Sequence, residues 1–328
     1  MRQIYFEKID LHLSNIGLGT LAIGGPLWDW GWGPQDDNTS IKTIHAAFDL
    51  GINWIDTAAV YGLGHSEEII GKAIKPFRNE FFISTKCGQV WDSNGEIRYH
   101  LKGESIREEI EASLRRLGVE QIDLYQIHWP IPDKDIEEAW GILVELINEG
   151  KVKLIGVSNF NVSQLKRVNK IYPVFSNQIL YNMFDREIEN KILPFCKENG
   201  VSVFVYSPMA SGLLTGKYNK KGIVSIPAND WRKSDKGGHF LEPELHINFQ
   251  AIEELSEIAE KLQIKLSQLA LAWILNNKSV SAPIVGARNK NQISETAKAS
   301  SIEFSEDICN EINNILKKRS RSLEDTRE

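Results

Sequence analysis

A helical segment that ends at a glycine and is followed by a short apolar run recurs four times in this sequence. The helical segments lie at 40–50, 105–117, 136–147 and 188–198, and the glycines that end them are Gly51, Gly118, Gly150 and Gly200. Glycine is common just after a helix because it adopts the left-handed conformation without steric cost. The recurrence indicates repeated strand–helix units, which place parallel strands side by side in one sheet.

Eight apolar runs qualify as strands of that sheet, at 16–18, 52–55, 81–84, 122–127, 154–157, 174–177, 201–205 and 282–285. They are continuous rather than alternating, which is typical of strands buried on both faces of a parallel sheet. Eight units favour a (β/α)8 TIM barrel of the α/β class. The alternative is an open doubly wound sheet, but the glycines at 17–25 do not have the G-x-G-x-x-G spacing of its dinucleotide-binding form.

The remaining segments fit around such a barrel as one domain. Residues 3–13 alternate in polarity and predict a short hairpin, and a long Gly-, Lys- and Asn-rich excursion covers 211–246. Helices are expected at 249–262, 267–276 and 306–318, and residues 319–328 are expected to be a frayed tail. The whole chain, 1–328, is therefore predicted to be a single barrel domain.

Charge and cysteine content narrow the classes of function. The formal net charge is −6, which gives no general attraction for nucleic acids or anionic membranes. No apolar run reaches the ~18 residues that span a bilayer, and the start of the chain lacks the apolar stretch of a signal peptide. Cys87, Cys196 and Cys309 are dispersed, which argues against a disulfide framework and a zinc site. We therefore expect a cytoplasmic protein without metal, nucleic-acid or membrane partners.

A polar or ionisable residue follows almost every predicted strand. The carboxyl ends of the strands of a TIM barrel meet at one rim, where functional groups collect. Asp56, Lys86 and His128 follow the second, third and fourth strands, and Tyr61 lies in the loop after Asp56. Taken singly, such residues are more often helix caps, solvated surface groups or packed side chains. Their arrival at the same rim favours a catalytic site.

Seven motifs give the chain a resemblance to the aldo-keto reductases over nearly its whole length. They are GLGT at 17–20, DTAAVYG at 56–62, STK at 84–86, HWP at 128–130, GVSNF at 156–160, YSP at 206–208 and GARN at 286–289. The segment GLLTGKY at 212–218 resembles the bacterial branch that includes general stress reductases, and also the potassium-channel β-subunits. The resemblance implies an NADP-dependent enzyme of the alcohol dehydrogenase (NADP+) type, acting on CH–OH donors, which reduces aldehydes or ketones to alcohols.

The resemblance also implies a catalytic tetrad. Tyr61 would be the proton donor, and the ammonium group of Lys86 would favour the ionised phenol and lower the pKa of Tyr61 toward the working pH. Asp56 would keep Lys86 charged and in position. His128 would donate a hydrogen bond to the substrate carbonyl oxygen, and hydride would come from NADPH.

Cofactor and substrate contacts are implied in the same way. Ser158, Asn159 and Gln178 would bind the nicotinamide carboxamide, Tyr206 would stack on its ring, and Arg288 would bind the 2′-phosphate of NADPH. The other expected cofactor contacts are Thr20, Asp56, Ser207, Pro208, Met209, Ser211, Lys217, Gly286, Gln292 and Glu295. The expected substrate pocket has aromatic walls that suit apolar or sugar-faced carbonyl compounds, formed by Trp28, Trp30, Trp91 and Trp129.

Two other functions compete with a working reductase. A module resembling a channel β-subunit would bind NADPH and report redox state to a membrane partner. His128 argues against it, because the channel subunits, by the same resemblance, depart from histidine there. A hydrolase or lyase built on Asp56 and His128 would leave Tyr61 and Lys86 without roles.

Overall fold

Short strands alternate with helices along most of this chain. The computed structural model describes residues 1–26, 28, 30–218, 223, 226 and 230–326. The strands are β1 (Gln3–Phe6), β2 (Leu11–Ser14), β3 (Gly17–Gly19), β4 (Trp54–Asp56), β5 (Phe82–Cys87), β6 (Gln89–Trp91), β7 (Ile97–Tyr99), β8 (Ile122–Ile127), β9 (Val152–Ser158), β10 (Ser176–Leu180), β11 (Ser202–Tyr206) and β12 (Ala282–Gly286).

Eight of these strands close into a parallel barrel. Their order around it is β3, β4, β5, β8, β9, β10, β11 and β12. The last strand returns to the first, with Ile284 opposite Gly17 and Gly286 opposite Gly19. The predicted (β/α)8 barrel is therefore confirmed, and each predicted strand overlaps an observed one. The expected N-terminal hairpin is β1–β2, and a second hairpin, β6–β7, was not predicted.

Helices surround the barrel: α1 (Asp37–Asp49), α2 (His65–Ile74), α3 (Gly103–Leu117), α4 (Ile136–Asn148), α5 (Val162–Asn169), α6 (Ile192–Asn199), α7 (Glu244–Lys261), α8 (Leu266–Asn276), α9 (Lys290–Thr296) and α10 (Glu306–Asp325). The glycines predicted to end helices have positive φ, for example 66° at Gly118 and 67° at Gly200. Such values carry a steric cost for residues with a Cβ, which explains the glycine at these positions.

The chain end differs from expectation. The segment after Lys318 was predicted to be frayed, but α10 continues to Asp325. Its Arg319 is 6 % exposed, and its Nε donates to Asn248 Oδ1 at 2.6 Å. The apolar pattern ends near Leu316, so it does not predict the last turns of the helix. Those turns are held by a buried guanidinium that has partners on another helix.

Alternation of side chains divides the barrel interior into layers. The amino-terminal end is apolar: the Trp54 and Phe204 rings lie 4.9 Å apart in a cluster with Phe82. Gly17 is required there, because a Cβ on it would lie 2.3 Å from the Trp54 ring. Two residues further along β5 than Phe82, Ser84 Oγ accepts a 2.9 Å bond from Gln126 Nε2. Polarity thus increases toward the carboxyl ends of the strands.

The outer core lies between the barrel and the helices. Residues that alternate with the inward-facing ones, such as Ile55, Ile83 and Val157, are buried there against helix residues such as Ile70 and Leu143. The apolar interiors of both layers hold the strand ends at fixed distances from one another. None of the helices in the described part of the chain is long and apolar enough to cross a membrane.

Candidate active site

A buried ion pair lies at the carboxyl ends of β4 and β5. Lys86 Nζ donates to Asp56 Oδ2 at 2.7 Å and to the Thr57 carbonyl oxygen at 2.7 Å. The second oxygen of Asp56 accepts from Ser84 Oγ at 3.1 Å and from Gln178 Nε2 at 2.7 Å. A buried pair of charges is tolerated only when its remaining polar atoms are bonded, as they are here. The predicted association of Asp56 with Lys86 is therefore observed.

Tyr61 reaches this ion pair from a tight turn after β4. Its backbone N–H donates to the Ala58 carbonyl oxygen at 3.1 Å, and the phenol ring lies with its centroid 5.2 Å from Lys86 Nζ. The turn packs against the backbone of Gly24: a Cβ on Gly24 would lie 2.7 Å from Gly62 N. This close approach of two backbone segments fixes the position of the Tyr61 phenol relative to the ends of the strands.

Replacing Gly24 with alanine is expected to displace Tyr61. We expect a fall in kcat of at least about tenfold and a loss of roughly 1–3 kcal/mol in the free energy of unfolding, because an overpacked site must shift its backbone. Steady-state kinetics and chemical denaturation measure both. Gly141→Ala is the matched control, because that glycine lies within α4 with open space around it and should gain roughly 0.5–1 kcal/mol. Normal kinetics in Gly24→Ala would contradict the positioning role.

The pKa of Tyr61 moves in the opposite direction from the one expected. Burial raises it well above 10.0, and the negative charge of Asp56 raises it further. The expected net lowering of the Tyr61 pKa toward the working pH is therefore not found. The physical reason is that Asp56 lies against Lys86 and offsets its charge, while desolvation penalises the phenolate. Tyr61 thus holds its proton at neutral pH, which suits a donor and not a base.

His128 faces Tyr61 from the end of β8. The two rings meet edge to face with centroids 5.9 Å apart. Burial, together with the charge of Lys86, lowers the pKa of His128 well below 6.5. Its main chain is fixed on both sides, since its N–H donates to Cys87 O at 3.0 Å and its carbonyl oxygen accepts from Asn159 Nδ2 at 3.1 Å. The imidazole is therefore neutral near pH 7 and has one N–H to donate.

If the protein carries out the expected carbonyl reduction, these pKa directions predict that kcat/KM is level on both sides of pH 7. His128 gains a proton only well below pH 6.5, and Tyr61 loses its proton only well above pH 10.0. Any decline is expected on the alkaline side, because burial also lowers the pKa of Lys86 from 10.5, against the opposing effect of Asp56. A pH–rate profile from mild acid to pH 10 measures this.

Glu109 provides the control for that profile. It lies outside the barrel, where its Oε2 accepts from Gly88 N at 2.8 Å, and burial raises its pKa to about 7. An inflection near pH 7 that disappears in Glu109→Gln would be due to this carboxyl group. An inflection near pH 7 that persists in the variant would mean that a group of the site titrates near pH 7, which would contradict the pKa directions of His128 and Tyr61.

Four predicted residues form a linked set on and just after β9, β10 and β11. Tyr206 OH donates to Asn159 Oδ1 at 2.9 Å, which orients the amide so that Asn159 Nδ2 donates to Ser158 Oγ at 3.1 Å. Ser158 Oγ donates in turn to Gln178 O at 2.9 Å. Burial raises the pKa of Tyr206 above its ordinary value, so its hydroxyl remains a donor. The set therefore presents amides, a hydroxyl and an aromatic ring beside Asp56.

The donor set and the backbone fit a nicotinamide cofactor at this rim. Asn159, Ser207, Ala210 and Ser211 all have positive φ, between 47° and 64°. Non-glycine residues in that conformation cost roughly 1–3 kcal/mol each and cluster at ligand-binding segments. All four lie in the segments predicted to contact the cofactor, so the strain coincides with the amide and hydroxyl groups suited to a carboxamide and a pyrophosphate.

The other predicted cofactor contacts lie in more varied places. Thr20 is fully buried and donates from N and Oγ1 to Asp56 O, at 3.1 and 3.0 Å. Pro208 and Met209 follow Ser207, and the amino group of Lys217 lies 5.7 Å from the Tyr218 ring centroid. Glu295 Oε1 accepts from Ser267 Oγ at 2.8 Å. Thr20 therefore holds the backbone of Asp56 by hydrogen bonds, and Glu295 links α9 to α8 by one.

Arg288 lies just after β12 and contacts the loop before α1. Its guanidinium donates to Trp32 O at 2.8 Å, to Gln35 Oε1 at 2.9 Å and to Pro34 O. Gln292 Oε1 accepts from the backbone N–H of Arg288 at 2.8 Å. Gly286 is the exposed end of the same strand. Gly286, Arg288 and Gln292, all expected cofactor contacts, thus lie close together, and Arg288 already has protein partners.

The tryptophans predicted to line the substrate pocket pack against different partners. Trp28 packs beside the tetrad, with its ring centroid 5.4 Å from that of Tyr61. Trp30 packs on Trp231 at 5.5 Å. Trp91 packs on the guanidinium of Arg116 at 5.7 Å, and Trp129 directly follows His128. Trp28 is therefore the best supported of the four as a wall of the site.

A polar network beside Ser207 was not predicted from the sequence. Asn182 Nδ2 donates to Ser207 O at 3.1 Å and to Asp185 Oδ2 at 2.8 Å. His239 Nε2 bonds the same carboxylate at 2.9 Å, and the partly opposing effects of desolvation and carboxylate bonding leave the pKa of His239 raised to about 9. Arg319 Nη2 donates to Glu244 Oε1 at 2.7 Å, and the same oxygen bonds His239 Nδ1. In the sequence, the one indication of this network is the high polar content of the long excursion at 211–246.

Across the described residues, no cluster of three or more His, Cys, Asp and Glu side chains could hold a metal ion.

Comparison with known proteins identifies the family of this chain. A sequence model of the Aldo/keto reductase family matches residues 15–317. Aldo-keto reductase YhdN of Bacillus subtilis (strain 168) is 38% identical over 309 residues, 93% of this chain and 91% of that protein. An NADH-specific methylglyoxal reductase of Escherichia coli (strain K12) is 36% identical, over 93% of this chain and 95% of its own length. The solved structure of the glycerol dehydrogenase AKR11B4 from Gluconobacter oxydans superposes with a TM-score of 0.87 at 36% identity, covering 97% of this chain and 95% of that one.

Proposed function

Because this chain belongs to the aldo/keto reductase family, we propose that it reduces aldehydes or ketones to alcohols, with hydride from NADPH and a proton from Tyr61. One observation carries the proposal. Tyr61, Lys86 and His128 come from three different strand ends and meet at one rim, over the Asp56–Lys86 ion pair. A reduced nicotinamide supplies the hydride, and the chain supplies the proton and the polarising hydrogen bond.

Tyr61 is the proton donor of this proposal. Burial keeps its phenol protonated at neutral pH. Lys86 donates two of its three N–H groups, to Asp56 and to the Thr57 carbonyl oxygen, and keeps the third. Its Nζ lies 5.2 Å from the centroid of the phenol ring. As Tyr61 gives up its proton, Lys86 stabilises the phenolate that forms. The ion pair therefore acts at the moment of proton transfer and leaves the resting phenol neutral.

His128 polarises the substrate. Its neutral imidazole donates one hydrogen bond to the carbonyl oxygen, where negative charge develops as the carbon is reduced. A neutral donor suits this role because it does not compete with Tyr61 for proton delivery. The edge-to-face contact with Tyr61 places the two proposed donors next to each other at the rim.

Residues at three strand ends support cofactor binding. Ser158, Asn159 and Gln178 would hold the carboxamide, and Tyr206 would stack on the ring, since its hydroxyl is anchored to Asn159. Arg288 supports NADPH, because a guanidinium suits a phosphate. The Escherichia coli relative is NADH-specific by name, and a comparison of NADPH with NADH tests the preference proposed for this chain.

Small polar carbonyl compounds are the substrates we expect, including short sugars, dicarbonyl compounds and stress-derived aldehydes. Trp28 flanks Tyr61, and its buried indole N–H has no hydrogen-bond partner. Such a donor stabilises a ligand that carries a second oxygen near the reacting carbonyl. The relative that reduces methylglyoxal by name acts on a molecule of that kind.

Two wider expectations accompany this function. We propose that residues 1–328 work as one domain, because a single barrel contributes every residue of the tetrad. We propose the cytoplasm as the location, because Cys87, Cys196 and Cys309 are free thiols.

The test is oxidation of NADPH and of NADH, followed by absorbance, with a panel of aldehydes, ketones and dicarbonyls. We expect turnover with both a simple aldehyde and a dicarbonyl, and a higher kcat/KM with NADPH. Tight cofactor binding without turnover of any carbonyl would favour a redox-sensing module instead. Binding of neither cofactor would refute the proposal.

A further inference from the structure

Arg288 is held by the loop that precedes α1, in which Trp32, Pro34 and Gln35 each contribute one oxygen. Each of its three guanidinium nitrogens donates to one of these oxygens. Five N–H groups are available on a guanidinium, so two remain. A phosphate that binds Arg288 must therefore share the group with the loop or displace it.

Gln35 is the side chain that makes this contact reciprocal. Its Oε1 accepts from Arg288 Nε at 2.9 Å, and its Nε2 donates to the Arg288 carbonyl oxygen at 2.9 Å. The other two acceptors are backbone carbonyls, which any residue at those positions would provide. Gln35 is therefore the position at which a substitution changes how firmly Arg288 is held.

The loop is fixed from its other side as well. The Arg232 guanidinium lies 4.6 Å from the Trp32 ring centroid and is itself buried and paired with Asp230 at 2.7 Å. A cation–π contact to a desolvated guanidinium is stronger than one exposed to water. The carbonyl oxygens of Trp32 and Pro34 therefore stay in place, and Arg288 meets a preformed set of acceptors.

We propose that Gln35 sets how strongly this protein discriminates NADPH from NADH, by holding Arg288 on the loop at 32–35. The inference rests on the proposed use of a nicotinamide cofactor. NADPH and NADH differ only by the 2′-phosphate, for which Arg288 is the expected partner. Because Arg288 must share its guanidinium with the loop or break loop bonds to bind a phosphate, the energy of every bond that is weakened or broken is subtracted from the preference for NADPH.

The proposal is tested by binding alone, using NADP+ and NAD+ as probes in isothermal titration calorimetry. The measured quantity is the ratio of the Kd for NAD+ to the Kd for NADP+. In Gln35→Ala we expect this ratio to rise by about 2-fold to 12-fold, the fold-change that corresponds to one net hydrogen bond. In Gln35→Glu we expect it to fall, because a carboxylate holds the guanidinium more firmly and repels the phosphate.

Two further variants make the test specific. Arg288→Ala should bring the ratio down toward one, since it removes the expected phosphate ligand. Gln121→Ala is the matched control, because that glutamine donates to Gly150 O at the opposite end of the barrel and should leave the ratio unchanged.

The outcomes separate this proposal from the function on which it rests. A ratio that is unchanged or lower in Gln35→Ala overturns the role of Gln35, even if Arg288→Ala lowers it. A ratio unaffected by Arg288→Ala overturns it too, because Arg288 would not be the residue that distinguishes the cofactors. Failure of the wild-type protein to bind either dinucleotide would instead refute nicotinamide use itself.

Discussion

Tyr61→Phe is expected to lower kcat for carbonyl reduction by about 100-fold to 10,000-fold, the usual contribution of a positioned general acid. The substitution removes one hydroxyl and keeps the ring that packs beside Lys86 and Trp28. We therefore expect little change in the free energy of unfolding or in the Kd for the cofactor. Single-turnover kinetics with saturating cofactor isolates the chemical step from product release.

Tyr125→Phe is the matched control for that variant. Tyr125 is another fully buried phenol, on β8 beside the Cys87 thiol and away from the barrel interior. We expect full activity after loss of its hydroxyl. If both variants were equally active, Tyr61 would not be the proton donor; if both were equally inactive, loss of a buried hydroxyl would act through the fold.

Lys86→Met is expected to lower the free energy of unfolding by about 3–5 kcal/mol and to abolish measurable turnover. Removing one partner of a buried ion pair leaves the other charge unpaired, which is the costly case. Lys86 is 1 % exposed and Asp56 3 % exposed, so water cannot replace the lost partner. Urea denaturation, with the slope checked for two-state behaviour, measures the loss.

The double variant Asp56→Asn/Lys86→Met gives the sharper result. It contains neither charge, so we expect it to be less destabilised than the sum of the two single variants, with a coupling energy of about 0.5–3 kcal/mol. Lys151→Met is the surface control, because its pairing with Glu111 at 2.7 Å is solvent-accessible and should contribute less than about 1 kcal/mol. Strict additivity of the two buried substitutions would show that the pair does not act as a unit.

The barrel and the meeting of Asp56, Lys86 and His128 at one rim could be predicted from local or periodic signals, whereas the roles in the tetrad were implied by the family resemblance. Each helix-ending glycine marks a change of direction that needs no knowledge of distant residues, as at Gly118 and Gly200. Asp56 and Lys86 follow buried strands, and the carboxyl ends of parallel strands meet at one rim by topology alone. Sequence order was therefore sufficient to bring these side chains together.

Features that depend on burial or on distant partners could not be predicted. The pKa of Tyr61 follows from desolvation and from Asp56 offsetting Lys86, and neither can be deduced from the order of residues. The partner of Arg288 is Gln35, at the other end of the chain. Arg319 lies past the end of an apolar pattern, yet it is buried against Phe184, with its guanidinium 4.1 Å from the ring centroid.

Transfer of deuterium from the cofactor to the product tests the central claim most directly. The protein is supplied with NADPH carrying deuterium on each face of nicotinamide C4 in turn, together with an aldehyde that proves to be a substrate, and the alcohol is analysed by mass spectrometry. We predict one carbon-bound deuterium per alcohol from one of the two labelled cofactors and none from the other, with Tyr61→Phe giving the same pattern at a much lower rate. An alcohol without carbon-bound deuterium from either cofactor would contradict direct hydride transfer, and with it the function proposed for this site.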